Sequence, residues 1–541
     1  MNAVSRTFSG DVPAVAPPPL RAWQTAAAAA LARHEGSSFL ASATPAAGKT
    51  TFGLHVAAEM LRSGRVSRVV VAGPTTHICR QWASAAARHG IDLEPNRPNA
   101  EGSEPRDRHG VAVTYQTIAA GPRVHARGTG RPTLFIADEP HHMGDQAAWG
   151  MRAREAFDGA VFRLLLSGTP FRSDNAAIPW VVYDGDGMSR ADYVYGYAQA
   201  LVEEVCRPIT FLPYDGEMEW RSDGRLRSAD FGTVLPRAEE ARRLRTALDP
   251  EGDWMGEVLR DADRKLSDVR AAGQPEAGGL VLAADQEHAR AIAVRLGRIA
   301  GEVPEVVTSD EVEASARIAA FSASRARWLV SVLMVSEGVD IPRLRVGVYA
   351  TPARTELFFR QVVGRFIRRT PAPKRQMSYL LMPADLRLKR LAIEIEDERR
   401  HALELLGARE EEEQAERSER GEGVGFEALS SSGELDEAIL TQTTMQLFST
   451  GDDPPAPPPP RAAVAPPPPP LPVEEAAFVS RERLRGERSR LVGLVSRKTG
   501  EEHKVIHARV NRATGAPSVS NATRAQLEKG IELLKRELSA R

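Results

Sequence analysis

A short Gly-Lys-Thr turn between an apolar run and a helical pattern constrains this 541-residue chain more than any other feature. The apolar run covers residues 38–43, and residues 49–61 have the alanine-rich pattern of a helix. The turn between them reads Ala43-Thr44-Pro45-Ala46-Ala47-Gly48-Lys49-Thr50. Backbone N–H groups at a helix start can surround an anion, a lysine can neutralise phosphates, and a hydroxyl can ligate Mg²⁺. The spacing therefore predicts a phosphate-binding loop.

Charge and cysteine content restrict the class of protein. The formal net charge is −1, so any surface that binds a polyanion must be a local patch. Two cysteines, Cys79 and Cys206, stand far apart, which argues against a disulfide scaffold or a structural zinc site and fits a reducing cytosol. No apolar stretch approaches the ~20 residues that a membrane helix requires. We therefore expect a soluble, cytoplasmic protein with no membrane partner.

Short β-rich runs alternate with helical patterns in two parts of the chain, residues 19–206 and 276–406. Strands separated by helices predict a parallel sheet covered on both faces, so the predicted fold class is α/β with two tandem parallel-sheet domains. Strands expected in the first domain cover residues 38–43, 68–72, 111–115, 133–137 and 163–167. Strands expected in the second cover residues 279–283, 328–332, 344–349 and 377–382. Residues 207–275, a hairpin or irregular piece and then a charged amphipathic stretch, are predicted to be a linker or insertion.

The remaining segments differ in composition from the two α/β units. Residues 1–18 lack the apolar core of a signal peptide and are predicted to be a disordered leader. Residues 407–474 are acidic and then rich in proline, which predicts a disordered linker with an extended polyproline spacer. Residues 475–541 are predicted to be a small, mainly helical basic module, because residues 481–541 carry a net charge of +8. This module is either an auxiliary piece that binds nucleic acid or a protein partner, or a solvated surface without a partner.

A pair of carboxylates follows the buried-strand pattern of residues 134–137, in the sequence Asp138-Glu139-Pro140-His141. Carboxylates at the carboxyl end of a parallel strand lie at the crevice where α/β sheets bind ligands. One acid there can hold Mg²⁺ and its neighbour can polarise a water. A solvated Asp-Glu turn is the alternative, but the position of the pair, downstream of a Gly-Lys-Thr turn, favours catalysis.

An arginine motif forms the third element and reads Gln361-Val362-Val363-Gly364-Arg365-Phe366-Ile367-Arg368. On a helix, Gln361, Arg365 and Arg368 share one face. Arginines delivered from a second domain can stabilise the charge of a phosphoryl group during its transfer. Alone, the motif would indicate a solvated charged face; together with the other two motifs it predicts arginine fingers.

The motifs occur in the order Gln24, Ala-x₄-Gly-Lys-Thr, Asp-Glu-x-His, Ser-Gly-Thr, Gly-x-Asp and Gln-x₂-Gly-Arg-x₂-Arg. This order resembles the superfamily 2 helicases, and within them the DExH group that includes the helicase subunits of restriction enzymes and related DNA translocases. The resemblance covers residues 19–385 and implies two RecA-like domains that bind ATP and Mg²⁺. Two positions depart from the commoner pattern: Ala43 replaces a glycine and Pro140 replaces an alanine.

Carried over by position, the resemblance implies a role for each motif residue. The nucleotide would be held by Gln24, which would read adenine, and by Ala47, Gly48, Lys49, Thr50, Thr51, Gly338 and Asp340. Mg²⁺ would be held by Thr50 and Asp138. Hydrolysis would be catalysed by Glu139, which would activate the water, and by Gln361, Arg365 and Arg368. Nucleotide state would be coupled to strand binding by His141, Ser167 and Thr169.

Two further loops resemble the strand-contacting motifs of the family, and the nucleic-acid contacts that they imply are Pro74, Thr75, Thr114 and Gln116. Hydroxyls and backbone amides at such positions suit phosphate contacts that carry no base information, whereas ordinary turn caps are the alternative. The chain lacks the Arg-Glu-Leu, Ser-Ala-Thr and His-Arg variants that mark the DEAD-box RNA group, which favours DNA.

We therefore expect an ATP-dependent helicase or translocase that acts on DNA. Three alternatives stay open from the sequence. The first is an RNA helicase with the same two domains, and the second is a remodeller or duplex translocase that separates no strands. The third is a binding scaffold with an inactive ATPase. A protein partner could also dock on the C-terminal module or the proline-rich linker.

Overall fold

A computed structural model of the chain describes residues 19–102, 104–105, 107–128, 130–143, 147–168, 177–185, 187–222, 224–308, 314–332, 341–371, 373, 376–419 and 476–539. The predicted leader and most of the predicted linker lie outside the described residues. The described residues form two parallel sheets with their helices and a C-terminal helical unit. No described helix is long and apolar enough to cross a membrane.

The first domain is built on a seven-stranded sheet in which all neighbouring strands are parallel. In spatial order its strands are β3 (Leu93–Pro95), β4 (Gly110–Thr114), β2 (Arg68–Gly73), β5 (Thr133–Asp138), β6 (Phe162–Ser167), β1 (Ser38–Ala43) and β9 (Tyr193–Tyr195). All five predicted strands are present. A small antiparallel pair, β7 (Val182–Tyr183) and β8 (Ser189–Arg190), precedes β9.

Helices cover both faces of this sheet. In chain order they are α1 (Ala22–Arg33), α2 (Lys49–Arg62), α3 (Thr76–Ala87), α4 (Tyr115–Ala120), α5 (Pro122–Gly128), α6 (Ala147–Phe157) and α7 (Tyr197–Val202). Val69 and Val71 of β2 pack in one core cluster with α1–α3, whereas Val70 packs in another with α4 and α6. Burial of alternate residues on opposite faces explains why this strand is a continuous apolar run.

The second domain contains a six-stranded sheet, again entirely parallel. In spatial order its strands are β10 (Ile209–Tyr214), β17 (Ser378–Pro383), β16 (Leu344–Ala350), β13 (Gly278–Ala283), β15 (Trp328–Val332) and β14 (Glu305–Val307). A separate antiparallel hairpin consists of β11 (Met218–Ser222) and β12 (Arg225–Ala229). The helices are α8 (Arg237–Ala247), α9 (Asp253–Ala271), α10 (Gln286–Ala300), α11 (Ala314–Ala323), α12 (Glu356–Phe366) and α13 (Leu386–Glu419). The two sheets confirm the predicted fold class.

The segment predicted to be a linker or insertion, residues 207–275, belongs largely to the second domain. β10 pairs with β17 over six residues and forms the edge of the second sheet. Leu259 and Leu266 of α9 are buried in the same cluster as Val281 of β13. The prediction was wrong here because the partner of β10 lies at the far end of the domain sequence, where no local pattern can indicate it. At the other end, α13 runs to Glu419, beyond the expected boundary at residue 406.

The C-terminal unit consists of three helices, α14 (Ala477–Thr499), α15 (His503–Thr514) and α16 (Arg524–Ser539). They enclose a core of their own, which includes Leu491, Ile506 and Leu527. The predicted mainly helical basic module is therefore confirmed as a fold. It docks on β3, an edge of the first sheet, through α14.

Candidate active site

The predicted phosphate-binding loop lies between the carboxyl end of β1 and the start of α2. Gly48 is the N-cap of α2 with a φ of 93°, and Ala46 also has a positive φ of 68°. A side chain at Gly48 would be strained by this φ and would approach Nε2 of Gln24 to 3.0 Å. The loop therefore needs glycine at this position, and it directs the start of α2, with Lys49 as the first helical residue, toward the cavity between the domains.

Lys49 and Glu139 form the central ion pair of this cavity. Nζ of Lys49 lies 3.3 Å from Oε1 of Glu139 and donates to the Ala43 carbonyl at 3.2 Å. The other carboxylate oxygen of Glu139 accepts the Gly168 N–H at 3.0 Å and the Ser167 hydroxyl at 3.3 Å. Glu139 itself has a positive φ of 54°, so its backbone is held in a conformation that non-glycine residues rarely adopt.

The electrostatics of this pair keep Glu139 ionised. Burial alone would raise the pKa of its carboxyl group, but the Lys49 ammonium, His141 and the Gly168 N–H lower the pKa to about 2. The side chain remains 22 % exposed. A carboxylate that is charged at neutral pH and open to the cavity can accept a proton from water.

Asp138 ends β5 and lines the same cavity as Thr50. Nε1 of Trp82 donates to Oδ2 of Asp138 at 2.7 Å, which fixes the orientation of the carboxylate. Hard oxygen ligands, few of them from protein and the rest from water and phosphate, are the set that Mg²⁺ prefers. The Thr50 hydroxyl and the Asp138 carboxylate therefore fit the predicted metal.

The second domain supplies the other wall of this cavity of about 320 Å³, with Gln361, Arg365 and Arg368 in its lining. A Cβ added to Gly364 would lie 2.6 Å from both Cβ and Cγ of Pro45, so α12 packs directly on the phosphate-binding loop. The predicted shared helical face is correct for two of the three residues. Arg368 lies beyond the end of α12 at Phe366, yet it lines the cavity all the same.

His141 connects the two domains at the carboxylate. Its Nδ1 lies 3.7 Å from Oε2 of Glu139, and its Nε2 lies 3.5 Å from Nε2 of Gln361. His141 and Ser167, two of the predicted coupling residues, therefore both lie at the Glu139 carboxylate, which also contacts Lys49. The third predicted coupling residue, Thr169, lies outside the described residues, as do Gly338 and Asp340.

Gln24 is buried against the phosphate-binding loop. Its amide nitrogen donates to the Gly48 carbonyl at 2.9 Å, and its amide oxygen accepts the Arg21 N–H at 2.8 Å. The side chain is 2 % exposed. Its nitrogen thus holds the loop and its oxygen caps α1, whereas a contact with adenine stays a prediction.

Two neighbours of Gln24 support the loop and were missed by the sequence reasoning. The Arg21 guanidinium donates to the carbonyls of Ala46 at 3.0 Å and Ala47 at 2.7 Å, and the Trp23 indole donates to Ala47 at 3.0 Å. Their position next to Gln24 in the sequence is the signal that could have identified them. The last predicted nucleotide contact, Thr51, follows Thr50 on α2.

Two of the predicted nucleic-acid contacts, Thr75 and Thr114, lie at the carboxyl ends of the neighbouring strands β2 and β4, where Gly73 pairs with Thr114. Thr75 caps α3 by accepting the Ile78 N–H at 3.3 Å. Thr114 caps α4 by accepting the Thr117 N–H at 3.2 Å. The alternative role as helix caps is therefore real. A threonine oxygen that accepts an N–H can still donate its own hydrogen to a phosphate, so the two roles are compatible.

The other two predicted contacts are placed differently. Gln116 is exposed on α4, whereas Pro74 lines the cavity of Lys49. The loop after β2, which is predicted to contact the nucleic acid, is thus adjacent to the cavity of Lys49.

Comparison with known proteins supports the motif assignment. Residues 18–172 match the family described as Type III restriction enzyme, res subunit. The chain is 41 % identical over 591 aligned positions to the uncharacterized protein Rv2917 of Mycobacterium tuberculosis (strain ATCC 25618 / H37Rv), covering 100 % of this chain and 95 % of that one. It is 46 % identical to the uncharacterized protein ML1624 of Mycobacterium leprae (strain TN), over 71 % of this chain and 65 % of that one.

The chain belongs to the family of these mycobacterial proteins, a superfamily 2 helicase family. Among solved structures, it is similar to a fragment of a putative HsdR subunit of a type I restriction enzyme from Vibrio vulnificus YJ016. The two share 17 % identity with a TM-score of 0.46, over 70 % of this chain and 67 % of that one.

Proposed function

We propose that this superfamily 2 protein is an ATP-dependent motor that hydrolyses ATP between its two RecA-like domains while it moves on DNA. The observation that carries the proposal is the shared cavity: Lys49 and Glu139 come from the first domain, and Arg365 and Arg368 from the second. Neither domain alone holds a complete set of groups for phosphoryl transfer, so hydrolysis depends on how the domains meet.

Lys49 exchanges partners during the reaction. In the structure its ammonium lies 3.3 Å from the Glu139 carboxylate and neutralises it. The phosphates of ATP, which carry more negative charge, attract the ammonium away, and the N–H groups at the start of α2 bind the same phosphates. Thr50 and Asp138 would hold Mg²⁺, which would supply positive charge to the phosphate oxygens.

Loss of the Lys49 contact prepares Glu139 as a base. Because Lys49 is the strongest of the charges that lower the pKa of Glu139, its departure raises that pKa and makes the carboxylate a better proton acceptor. The attacking water gives its proton to Glu139 while its oxygen bonds to the γ-phosphorus, and the bond to the bridging oxygen of ADP breaks. Gln361, which lies beside His141, orients this water.

Arg365 and Arg368 stabilise the phosphoryl group as it is transferred. Their arrival depends on the contact between Gly364 and Pro45, which brings α12 against the loop. This contact couples the chemistry to domain closure, and the nucleic acid that spans both domains then moves with each cycle.

DNA is proposed over RNA because the chain carries Ser-Gly-Thr and Pro-Thr-Thr where the DEAD-box RNA group has other residues. The test is ATP turnover with single-stranded DNA, duplex DNA and RNA at equal nucleotide concentration. Stimulation by DNA is the expected result. Stimulation by RNA alone would contradict the substrate, and stimulation by duplex DNA without opening of a forked duplex would identify a translocase that separates no strands. Absence of turnover under all conditions would identify a binding scaffold.

A further inference from the structure

The C-terminal module is fixed on the first domain by buried charges. The Arg481 guanidinium bonds both carboxylate oxygens of Asp92 at 2.6 and 2.8 Å, and it lies 3.0 Å from Glu94. Arg485 bonds Glu94 at 2.8 Å, and Phe478 is buried in the core of the first domain. These contacts use one face of α14 and set the direction in which its other faces point.

The outward face of α14 carries arginines at regular spacing. We call it the arginine face: Arg483, Gly486, Arg490, Gly493 and Arg497. Steps of three and four residues place all five on one side of the helix, and its three arginines are exposed. At a rise of 1.5 Å per residue, successive arginines are about 10.5 Å apart and the outer two about 21 Å apart.

The two glycines of this face have no packing role within the described part of the chain. A Cβ added to Gly486 or Gly493 would meet no described atom within 4 Å. Glycine disfavours a helix because its backbone loses the most freedom on folding. Two such residues inside one helix leave its backbone accessible between the arginines, which suits close approach of an extended polyanion.

The arginine face begins beside a loop with a proposed role in strand binding. Glu482, next to Arg483, pairs with Arg80 of α3 at 3.1 Å. The helix α3 starts one turn earlier, at the cap residue Thr75. The first arginine of the face therefore lies next to a residue that contacts α3, the helix that follows the loop after β2.

We propose that the arginine face binds the sugar-phosphate backbone of the nucleic acid on which the motor acts. The inference rests on the proposed function and adds a second contact region of about 21 Å, on the order of six nucleotide steps of a duplex strand. The charge complementarity of three arginines with phosphates carries it. The flanking carboxylates of Glu482 and Glu487 are already paired, with Arg80 and Lys535 respectively.

The test is fluorescence anisotropy of labelled DNA with the full chain over a series of salt concentrations. The variant R483Q/R490Q/R497Q should bind about tenfold or more weakly at ~0.1 M salt, and its slope of log affinity against log salt should fall by roughly two to three, because each lost phosphate contact removes about 0.9. Its ATP turnover without nucleic acid should equal that of the wild type. The matched control R512Q/K529Q/R536Q removes the same charge from the other helices of the module and should change the slope by less than about one.

A second variant separates shape from charge. G486Q/G493Q keeps every arginine and favours the helix, so hydrogen exchange of α14 should be equal or slower, while DNA affinity should fall several-fold because the backbone is covered.

The outcomes distinguish this inference from the proposed function. If the wild type binds no nucleic acid at any salt concentration, the proposed function fails. If the wild type binds but the arginine variant keeps its affinity and slope, only the arginine face is refuted, and an acidic protein segment becomes the better occupant. Equal losses in the arginine variant and its control would also refute it.

Discussion

Two clusters of charged side chains lie on different parts of the first sheet, and they differ in how their charges are balanced. Near β1, the ammonium of Lys49 stands against the single carboxylate of Glu139 at 3.3 Å. At β3, Glu94 is contacted by the guanidinium groups of Arg108, Arg481 and Arg485 at 2.8–3.1 Å. The first cluster can release its cation to a ligand, whereas the second has several cations on one carboxylate.

The two carboxylates also differ in their exposure to solvent. The carboxylate of Glu139 is 22 % exposed and that of Glu94 is 7 % exposed. Burial would raise the pKa of Glu94, but the three guanidinium groups hold it below its usual value. The proposed catalytic pair, which must exchange its cation for a phosphate, is thus partly exposed and contains a single cation. The docking surface instead surrounds one buried carboxylate with three cations.

The largest effect is expected at the exchangeable pair. Lys49→Ala and Glu139→Gln should each lower kcat by about 10³-fold, because one removes a phosphate contact and the other the proton acceptor. Steady-state ATPase assays measure the loss, and calorimetry should show that Glu139→Gln still binds ATP. Near-normal turnover in either variant would refute the assigned roles.

At the docking surface, Arg481→Ala should weaken the attachment of the module by about 3 kcal/mol, because it leaves buried carboxylates without one of their cations. Hydrogen exchange of β3 and the first turns of α14 would report the faster opening. Arg483→Ala is the matched control, since it removes the same charge from an exposed position of the same helix. Equal protection in both variants would show that the cluster does not hold the module.

Contact between the domains gives the third prediction. In Gly364→Ala, the new Cβ would meet the Pro45 ring at 2.6 Å, and a proline ring cannot rotate away. We expect kcat to fall about tenfold, equivalent to ~1.4 kcal/mol of closure energy. Gly185→Ala, which adds the same methyl group where no described atom lies within 4 Å, should leave turnover unchanged. An unchanged kcat in Gly364→Ala would mean that catalysis does not need this approach.

The smallest effect concerns pH. The pKa of Glu139, about 2, lies below the ordinary value of 4.5, so the charged carboxylate contributes to stability above pH 4.5 and this contribution is lost as the pH falls through about 2. From about pH 5 to 8, kcat/KM, which reports the free enzyme, should therefore show no acid limb from Glu139. The pH profile of the residual activity of Glu139→Asp is the control, because a limb that moves in this variant belongs to residue 139 and contradicts the prediction.

The sequence predicted those parts of the fold whose signal is local. The strands at residues 38–43 and 328–332 match β1 and β15 to the residue, because each is an apolar run with clear ends. The edge strands β3, β9 and β14 have three residues each, too few to show a period. β10 was assigned to a linker because only its distant partner identifies it as a sheet strand.

The same limit applies to the site. Lys49, Asp138 and Glu139 could be predicted because the phosphate-binding loop and the end of β5 are each marked by a short continuous motif. The contacts of Gly364 with Pro45 and of Arg21 with the loop carbonyls join segments that are distant in sequence, so no local pattern predicts them. In the module, net charge alone could not separate Arg481, which is buried in ion pairs, from Arg490, which is exposed.

The module follows the second domain along the chain but is attached to the first domain. A protease cut between residues 419 and 476 would therefore not release it, since Phe478 and the Arg481 contacts remain in place. The two fragments should travel through a sizing column as one particle and separate only in denaturant. A gene split at this point should likewise yield two polypeptides that reassemble when they are expressed together.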